Sequence, residues 1–138
     1  LRPGVLDAVG LIAAIEWQAA RFRDKTGVQC HLTLPSGELR LDRHRSTGLF
    51  RIFQEIMTNV TRHANATAVR ASLTMEPGEI VLEVKDNGRG ITEMEINDSK
   101  AYGILGMRER AAALGGELRI EGTQGTGTKV VVRVPHFQ

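Results

Sequence analysis

A polar run between residues 54 and 63 has the side chains needed to bind a metal ion and phosphate. Glu55 and Asn59 stand four residues apart, and Arg62 and His63 follow within the next helical turn. An asparagine oxygen is a ligand that Mg²⁺ accepts beside water and substrate phosphates. The same spacing is also typical of the solvated side of an amphipathic helix. This run alone therefore leaves both interpretations open.

A second candidate segment is a strand end followed by two closely spaced glycines, Asp86-Asn87-Gly88-Arg89-Gly90-Ile91. An ordinary Asn-Gly turn would explain the first glycine. However, no matching strand follows, and Gly90 indicates a second unusual backbone torsion. The Gly-x-Gly spacing by itself identifies no particular nucleotide fold. These features favour a functional loop over a simple turn.

Two further glycine-bearing segments are compatible with a nucleotide. Gly103 and Gly106 lead into a helix, and free N–H groups and the helix dipole at such an N-terminus favour phosphate. Residues 122–128 precede the last predicted strand, where a threonine hydroxyl could both donate to and accept from a purine edge. A plain loop-to-helix junction and a plain hairpin link explain the same two segments.

In this order, the four segments resemble the ATP-binding domain of sensor histidine kinases. That domain belongs to a superfamily shared with the ATPases of type II topoisomerases, heat-shock chaperones and mismatch repair. The resemblance covers about residues 47–135. Residues 50–66 and 106–110 are similar to the subgroup that works with helix-turn-helix response regulators. Residues 1–11 resemble the second helix of that subgroup's dimerisation and phosphotransfer hairpin.

The resemblance implies a role for each matching residue. Asn59 corresponds to the Mg²⁺ ligand, and Glu55 to the acid that polarises the attacking group or the metal-bound waters. Asp86 corresponds to the acid that accepts a hydrogen bond from the adenine amino group, with Thr128 assisting through water. The other implied ATP contacts are Arg62, His63, Gly88, Gly90, Ile91, Gly103, Leu105, Gly106 and Met107.

The resemblance also implies a nucleotide lid over residues 92–102 and a phosphate acceptor outside this sequence. The lid is short and carries Glu93, Glu95 and Asp98, so we expect it to be mobile without nucleotide. The family phosphorylates a histidine that is followed directly by an acid, and none of the 4 histidines here has that neighbour. We therefore expect a chain that binds ATP and Mg²⁺ without its own substrate histidine.

The partners implied by the resemblance are ATP, the hairpin of the parent kinase and a cognate response regulator. The parent is expected to be a homodimer. This part of the parent is expected to be cytoplasmic, and the resemblance is compatible with a membrane anchor elsewhere in the parent. Two other functions stay open. One is an ATP hydrolase of the chaperone or topoisomerase type, in which Glu55 activates water. The other is an anti-sigma-type serine kinase or a non-catalytic nucleotide sensor.

The elements that must position these residues follow from periodicity. Apolar residues at helical spacing predict helices over residues 6–22, 46–63 and 105–114. Alternation predicts strands over residues 28–34, 69–75, 80–84, 117–121 and 129–134, with a short return strand over 38–41. The stripe of the first helix is expected to be Leu6, Val9, Ala13, Trp17 and Ala20. Residues 86–100 are expected to form a loop.

These elements predict an α+β protein, a two-layer sandwich whose mixed, mostly antiparallel sheet carries about three helices on one face. The resemblance makes this a Bergerat-type ATP-binding fold. It also implies a division of the chain into residues 1–24, a remnant of the hairpin's second helix, and residues 25–138, the ATP-binding catalytic domain.

Composition narrows the classes of protein. A length of 138 residues fits one domain. The formal net charge of +2 and the aromatic content of 4% give neither the basic patch nor the stacking platforms of a nucleic-acid-binding protein. No apolar run is long enough to span a bilayer. The lone Cys30 favours a reducing compartment and a place in the core. Because the chain begins with Leu1, we expect a piece of a longer protein.

Overall fold

A five-stranded sheet forms the centre of the fold in the computed structural model, which describes residues 3–36 and 39–136, with side chains from residue 10 onward. Its strands are β1 (Gln29–Thr33), β2 (Ala68–Glu76), β3 (Glu79–Asp86), β4 (Glu117–Thr123) and β5 (Gly127–Pro135). They lie in the order β1-β2-β3-β5-β4. The β1–β2 pair is parallel and the other neighbours are antiparallel, which confirms the predicted mixed sheet.

Helices cover the apolar face of this sheet. They are α1 (Pro3–Thr26), α2 (Arg43–Asn59) and α4 (Tyr102–Ala113), with a single-turn helix α3 (Glu93–Ile96) between β3 and α4. Alternate β3 residues Ile80, Leu82 and Val84 are buried beneath the helices, because successive strand side chains point to opposite faces. The predicted α+β two-layer sandwich is confirmed.

The second helix carries the apolar stripe that the sequence predicts. Leu49, Ile52, Phe53 and Ile56 all lie in the core. The helix begins at Arg43, three residues before the predicted start at residue 46, because Asp42 is the N-cap and its Oδ2 accepts from the Arg45 N–H at 3.3 Å. Its last predicted turn is a π-helical turn, Val60–Ala64.

The buried face of α1 differs from the predicted one. Leu11, Ile15, Ala19 and Phe22 pack into the core, whereas Trp17 is 37% exposed. Gly10 has φ 77° and ψ 175°, so the backbone is not helical there and the helical phase of α1 is interrupted. Leu6 and Val9 lie outside the described side chains.

Two further predictions for individual segments are wrong. Residues 39–41 form no strand, and the partner of β1 is instead the parallel strand β2. Residues 93–96 are helical within the predicted loop, because Thr92 and Glu95 form a reciprocal capping box. Within the described parts of the chain, no helix is both long and apolar enough to cross a membrane.

Candidate functional site

A cavity of about 420 Å³ lies between the end of α2, the end of β3 and the segment that contains α3. Its volume falls within the range of about 300–1,000 Å³ typical of small-molecule sites. The predicted site residues that line it are Glu55, Asn59, Arg62, His63, Asp86, Gly90, Ile91, Gly103, Met107 and Thr128. The predicted residues Gly88, Leu105 and Gly106 do not line it.

Asp86 ends strand β3 and is 6% exposed. Its Oδ1 accepts from the Gly88 N–H at 2.8 Å and from the Thr128 N–H at 3.2 Å. No described residue donates a hydrogen bond to Oδ2. Every fully buried side-chain oxygen among the described residues has a hydrogen-bond partner, so Oδ2 is not fully buried. Because Asp86 lines the cavity, Oδ2 is accessible from it. One carboxylate oxygen is therefore fixed by the backbone and the other is free to accept a ligand's hydrogen.

Thr128 holds the neighbouring wall of the cavity. Its Oγ1 accepts from the Ile91 N–H at 2.8 Å, which connects the start of β5 to the loop after β3. Together with the Thr128 N–H on Asp86, this places an isoleucine side chain, a threonine hydroxyl and a carboxylate around one end of the cavity. A flat heterocycle with a polar edge suits such a combination.

Gly88 lies in the loop after β3 and determines how that loop packs, although it does not line the cavity. A Cβ at position 88 would collide with the backbone oxygen of Ala64, so only glycine allows the loop to pack against the end of the π-helical turn. The expected direct contact of Gly88 with a base is therefore absent from the cavity lining, and its role is to seat the loop. Asn87 strengthens the seat, since its Oδ1 accepts from the N–H groups of Thr67 and Ala68.

Glu55 and Asn59 lie on successive turns of α2, and both line the cavity. Neither side chain forms a hydrogen bond with a described residue, so both remain available to a ligand. A Cβ at position 103 would collide with Oε1 of Glu55, so the start of α4 lies directly against this carboxylate. The α2 helix thus presents a carboxylate and an amide at the end of the cavity that Arg62 and His63 also line.

The π-helical turn explains how the end of α2 meets the rest of the site. Its last carbonyl groups are satisfied from outside the helix: the Arg89 N–H donates to the Ala64 oxygen at 2.7 Å, and Arg89 Nε donates to the His63 oxygen at 2.7 Å. Asn65 then ends the turn in the left-handed conformation that is common at helix C-termini.

Several cavity residues escaped the sequence analysis. The apolar residues of the cavity lining that were missed include Ile56, Val60, Ile104, Ile120 and Val130. Arg89 adds a guanidinium that the sequence analysis also missed, whereas Glu95, Asp98 and Lys100 belong to the predicted lid and line the cavity as well. These apolar residues could not be assigned to the site from the sequence. Strand and helix periodicity predicts which residues are buried, but it does not show which buried residues border a cavity. Leu105, which the resemblance assigns to ATP, is 51% exposed and does not line the cavity.

Glu95 is the residue of the site whose titration is most changed. The side-chain hydrogen bond from Arg89 and the backbone N–H of Thr92 lower the pKa of this carboxyl from 4.5 to about 2. The Arg89 pKa is raised by the same pair. Because Glu95 and Arg89 are 39% and 40% exposed, solvent screens the pair and it stabilises the fold only modestly.

Comparison with known proteins agrees with this geometry. The family described as "Histidine kinase-, DNA gyrase B-, and HSP90-like ATPase" matches residues 44–138. The chain is 31% identical over 136 residues to the Brevibacillus brevis signal transduction histidine-protein kinase/phosphatase DegS, covering 98% of this chain and 35% of that protein. It is 32% identical over 137 residues to the Bacillus subtilis sensor histidine kinase LiaS, covering 99% and 37%. The chain thus spans about a third of the length of these relatives.

A solved structure shares the fold. The histidine kinase domain of the Erythrobacter litoralis EL346 blue-light activated histidine kinase superposes with a TM-score of 0.78 at 23% identity. The superposition covers 91% of this chain and 60% of that one.

The lowered pKa of Glu95 predicts a pH-dependent contribution to stability. Its folded-state pKa lies below the ordinary value, so the contribution is present above pH 4.5 and lost as pH falls from 4.5 towards 2. Urea unfolding should show Glu95→Gln less stable than the native chain by at most about 1 kcal/mol at pH 6, with the difference shrinking below pH 4.5. A difference that persists unchanged at pH 3 would contradict the assignment. Glu117→Gln, in an exposed ion pair on β4, is the matched control.

Proposed function

The chain belongs to the family of histidine kinase-, DNA gyrase B- and HSP90-like ATPases, and from that membership we propose that it presents Mg²⁺-ATP to a histidine of a dimerisation hairpin. The family's domain binds ATP, and this chain is the ATPase domain of the sensor histidine kinase type. The observation that carries the proposal is the cavity in which a half-satisfied carboxylate and a free asparagine amide face the same space.

The adenine end of the nucleotide is assigned to Asp86. Its free Oδ2 would accept a hydrogen from the exocyclic amino group, while Ile91 and Met107 would pack on the ring faces. Thr128 would assist through a water, because its hydroxyl borders the same end of the cavity. The apolar lining suits a purine, which is flat and largely apolar, and the carboxylate selects for a donor at its edge.

The phosphate end is assigned to the last turns of α2. Asn59 would hold Mg²⁺ through its amide oxygen, because Mg²⁺ keeps most of its waters and takes its other ligands from phosphates. Among the described residues, no three or more histidine, cysteine or acidic side chains are grouped so that they could hold a metal ion, so a single protein ligand fits the donors present. The bound ion would neutralise phosphate charge, Arg62 and Lys100 would add cationic groups, and the His63 ring could donate a hydrogen bond to phosphate.

Phosphoryl transfer needs positioning and charge neutralisation more than covalent chemistry by the protein, because its transition state is loose. The attacking imidazole nitrogen would bond to the γ-phosphorus as the bond from that phosphorus to the bridging oxygen breaks and ADP leaves. Glu55, which lies free beside Gly103, would polarise the attacking group or the metal-bound waters. A response regulator would then take the phosphoryl group from the histidine.

The imidazole would come from a hairpin whose second helix ends in the first residues of this chain. The resemblance placed residues 1–24 in that helix. Because Gly10 interrupts α1 and residues from Leu11 to Phe22 contribute to the core, we propose that the boundary lies at Gly10. The segment after it then belongs to the ATP-binding domain. The parent would dimerise through the hairpin.

Asp86→Asn tests the adenine assignment without disturbing the loop. The new amide oxygen keeps an acceptor for the N–H groups of Gly88 and Thr128, while an NH₂ group, which cannot accept, replaces the free Oδ2. The lost charge-assisted hydrogen bond, about 1.5–3 kcal/mol, should weaken ATP binding about 10- to 150-fold by calorimetry. Glu83→Gln on the same strand is the control and should bind like the native chain. Equal affinities for Asp86→Asn and the native chain would refute the assignment.

Phosphotransfer tests the reaction itself. The chain should transfer label from γ-labelled ATP to a separately supplied hairpin of a related sensor kinase, giving an acid-labile phosphate. Asn59→Ala should abolish the transfer, because the metal loses its protein ligand. An acid-stable phosphate on a protein partner would favour a serine kinase. Steady release of inorganic phosphate that Glu55→Gln abolishes, without transfer to the hairpin, would favour an ATP hydrolase. Either result would overturn the proposed function.

A further inference from the structure

Arg89 joins two parts of the cavity wall that are distant in sequence. Its Nε donates to the His63 oxygen at 2.7 Å, at the end of the π-helical turn. Its Nη1 and Nη2 donate to Oε1 and Oε2 of Glu95 at 2.9 and 2.6 Å, on α3. Such a two-point guanidinium–carboxylate pair fixes orientation as well as distance. We call the Arg89–Glu95 pair the latch.

The guanidinium is committed to the protein although the residue borders the cavity. All three of its nitrogens donate to described residues, and Nη1 also lies 3.4 Å from the Gly90 oxygen. Arg62, His63 and Lys100, by contrast, show no side-chain hydrogen bond to a described residue. Arg89 is therefore arranged to hold the wall, whereas the other cationic groups are free for phosphate.

The latch acts on a helix that apolar packing does not hold. Helix α3 has four residues, and none of them is buried. Its internal order comes from the capping box, in which Glu95 Oε1 accepts from the Thr92 N–H at 3.0 Å and Thr92 Oγ1 accepts from the Glu95 N–H at 3.2 Å. The box shapes the turn without joining it to another element, so among the described residues the side-chain hydrogen bonds that join α3 to the cavity wall are those from Arg89.

We propose that Arg89 is a positioning residue whose latch with Glu95 holds residues 92–102 beside the nucleotide cavity and slows nucleotide release. The inference rests on the proposed function, since it concerns the nucleotide of the same cavity. A segment that is already held in place loses less conformational freedom when the nucleotide binds. The latch thus determines how much of the binding free energy is spent on ordering this segment.

Three variants separate the latch from the capping box. Glu95→Gln removes the charge but keeps an oxygen acceptor for Thr92, so the box remains. Arg89→Gln removes the guanidinium fork, and the double variant removes both partners. Arg119→Gln is the matched control, because Arg119 is exposed and forms an ion pair with Glu117 on β4 at 3.7 Å. The measurements are hydrogen exchange of residues 92–102 without nucleotide and the dissociation rate of a fluorescent ATP analogue with Mg²⁺.

Each single variant should accelerate exchange in residues 92–102 and raise the dissociation rate about 2- to 5-fold, the range set by exposed ion pairs. The double variant should show no more than the larger single effect, and Arg119→Gln should behave like the native chain. Native exchange and dissociation in both single variants, or effects that multiply in the double variant, would overturn the latch. Failure of the native chain to bind the analogue would instead contradict the proposed function, and exchange alone would then decide whether the pair holds the segment.

Discussion

The half-satisfied carboxylate of Asp86 is the interaction on which the site depends. A buried carboxylate is costly unless hydrogen bonds compensate for its lost hydration, and here two backbone N–H groups meet one oxygen. Those donors come from the loop after β3 and from the start of β5, so the sheet must bring both to the same place. The other oxygen has no hydrogen-bond partner among the described residues, so it is available to a ligand. The recognition group is thus preorganised by the backbone.

The two ends of the cavity are stabilised by different kinds of interaction. The end of the cavity that we propose for the base is built on β3 and β5, two adjacent strands, and on buried apolar residues, so it is expected to be rigid. The other wall includes α3, which has no buried residue and is held by polar contacts through Arg89 and Thr92. Under our proposal, a rigid pocket for the base beside a weakly held segment would let a nucleotide be recognised first and enclosed afterwards.

The sequence was informative wherever local pattern and burial coincide. The alternation in β2 and β3 and the stripe on α2 predicted their elements because one side of each is apolar and the other polar. The α1 face was mispredicted because alanines occur on several sides of this helix and Gly10 interrupts the helical phase. The helix α3 was missed although Thr92 and Glu95 have the spacing of a capping box, since one turn shows no apolar period.

The site was predictable to the extent that its residues sit in recognisable segments. Asn59, Asp86 and Gly103 were placed through the resemblance and border the cavity. The role of Gly88 in seating the loop on Ala64 was not predictable, because it depends on a contact between segments distant in the chain. The same holds for Arg89, whose partners His63 and Glu95 lie on either side of it in sequence and meet only through the fold.

Calorimetric comparison of ATP with inosine triphosphate, in the presence of Mg²⁺, tests the central claim most directly. The base of inosine carries a carbonyl oxygen where adenine carries its amino group. Two hydrogen-bond acceptors, this oxygen and Asp86 Oδ2, would then face each other without a hydrogen between them. Our account predicts that the native chain binds inosine triphosphate at least about tenfold more weakly than ATP, because one charge-assisted hydrogen bond is lost. Equal affinity for the two nucleotides would contradict it.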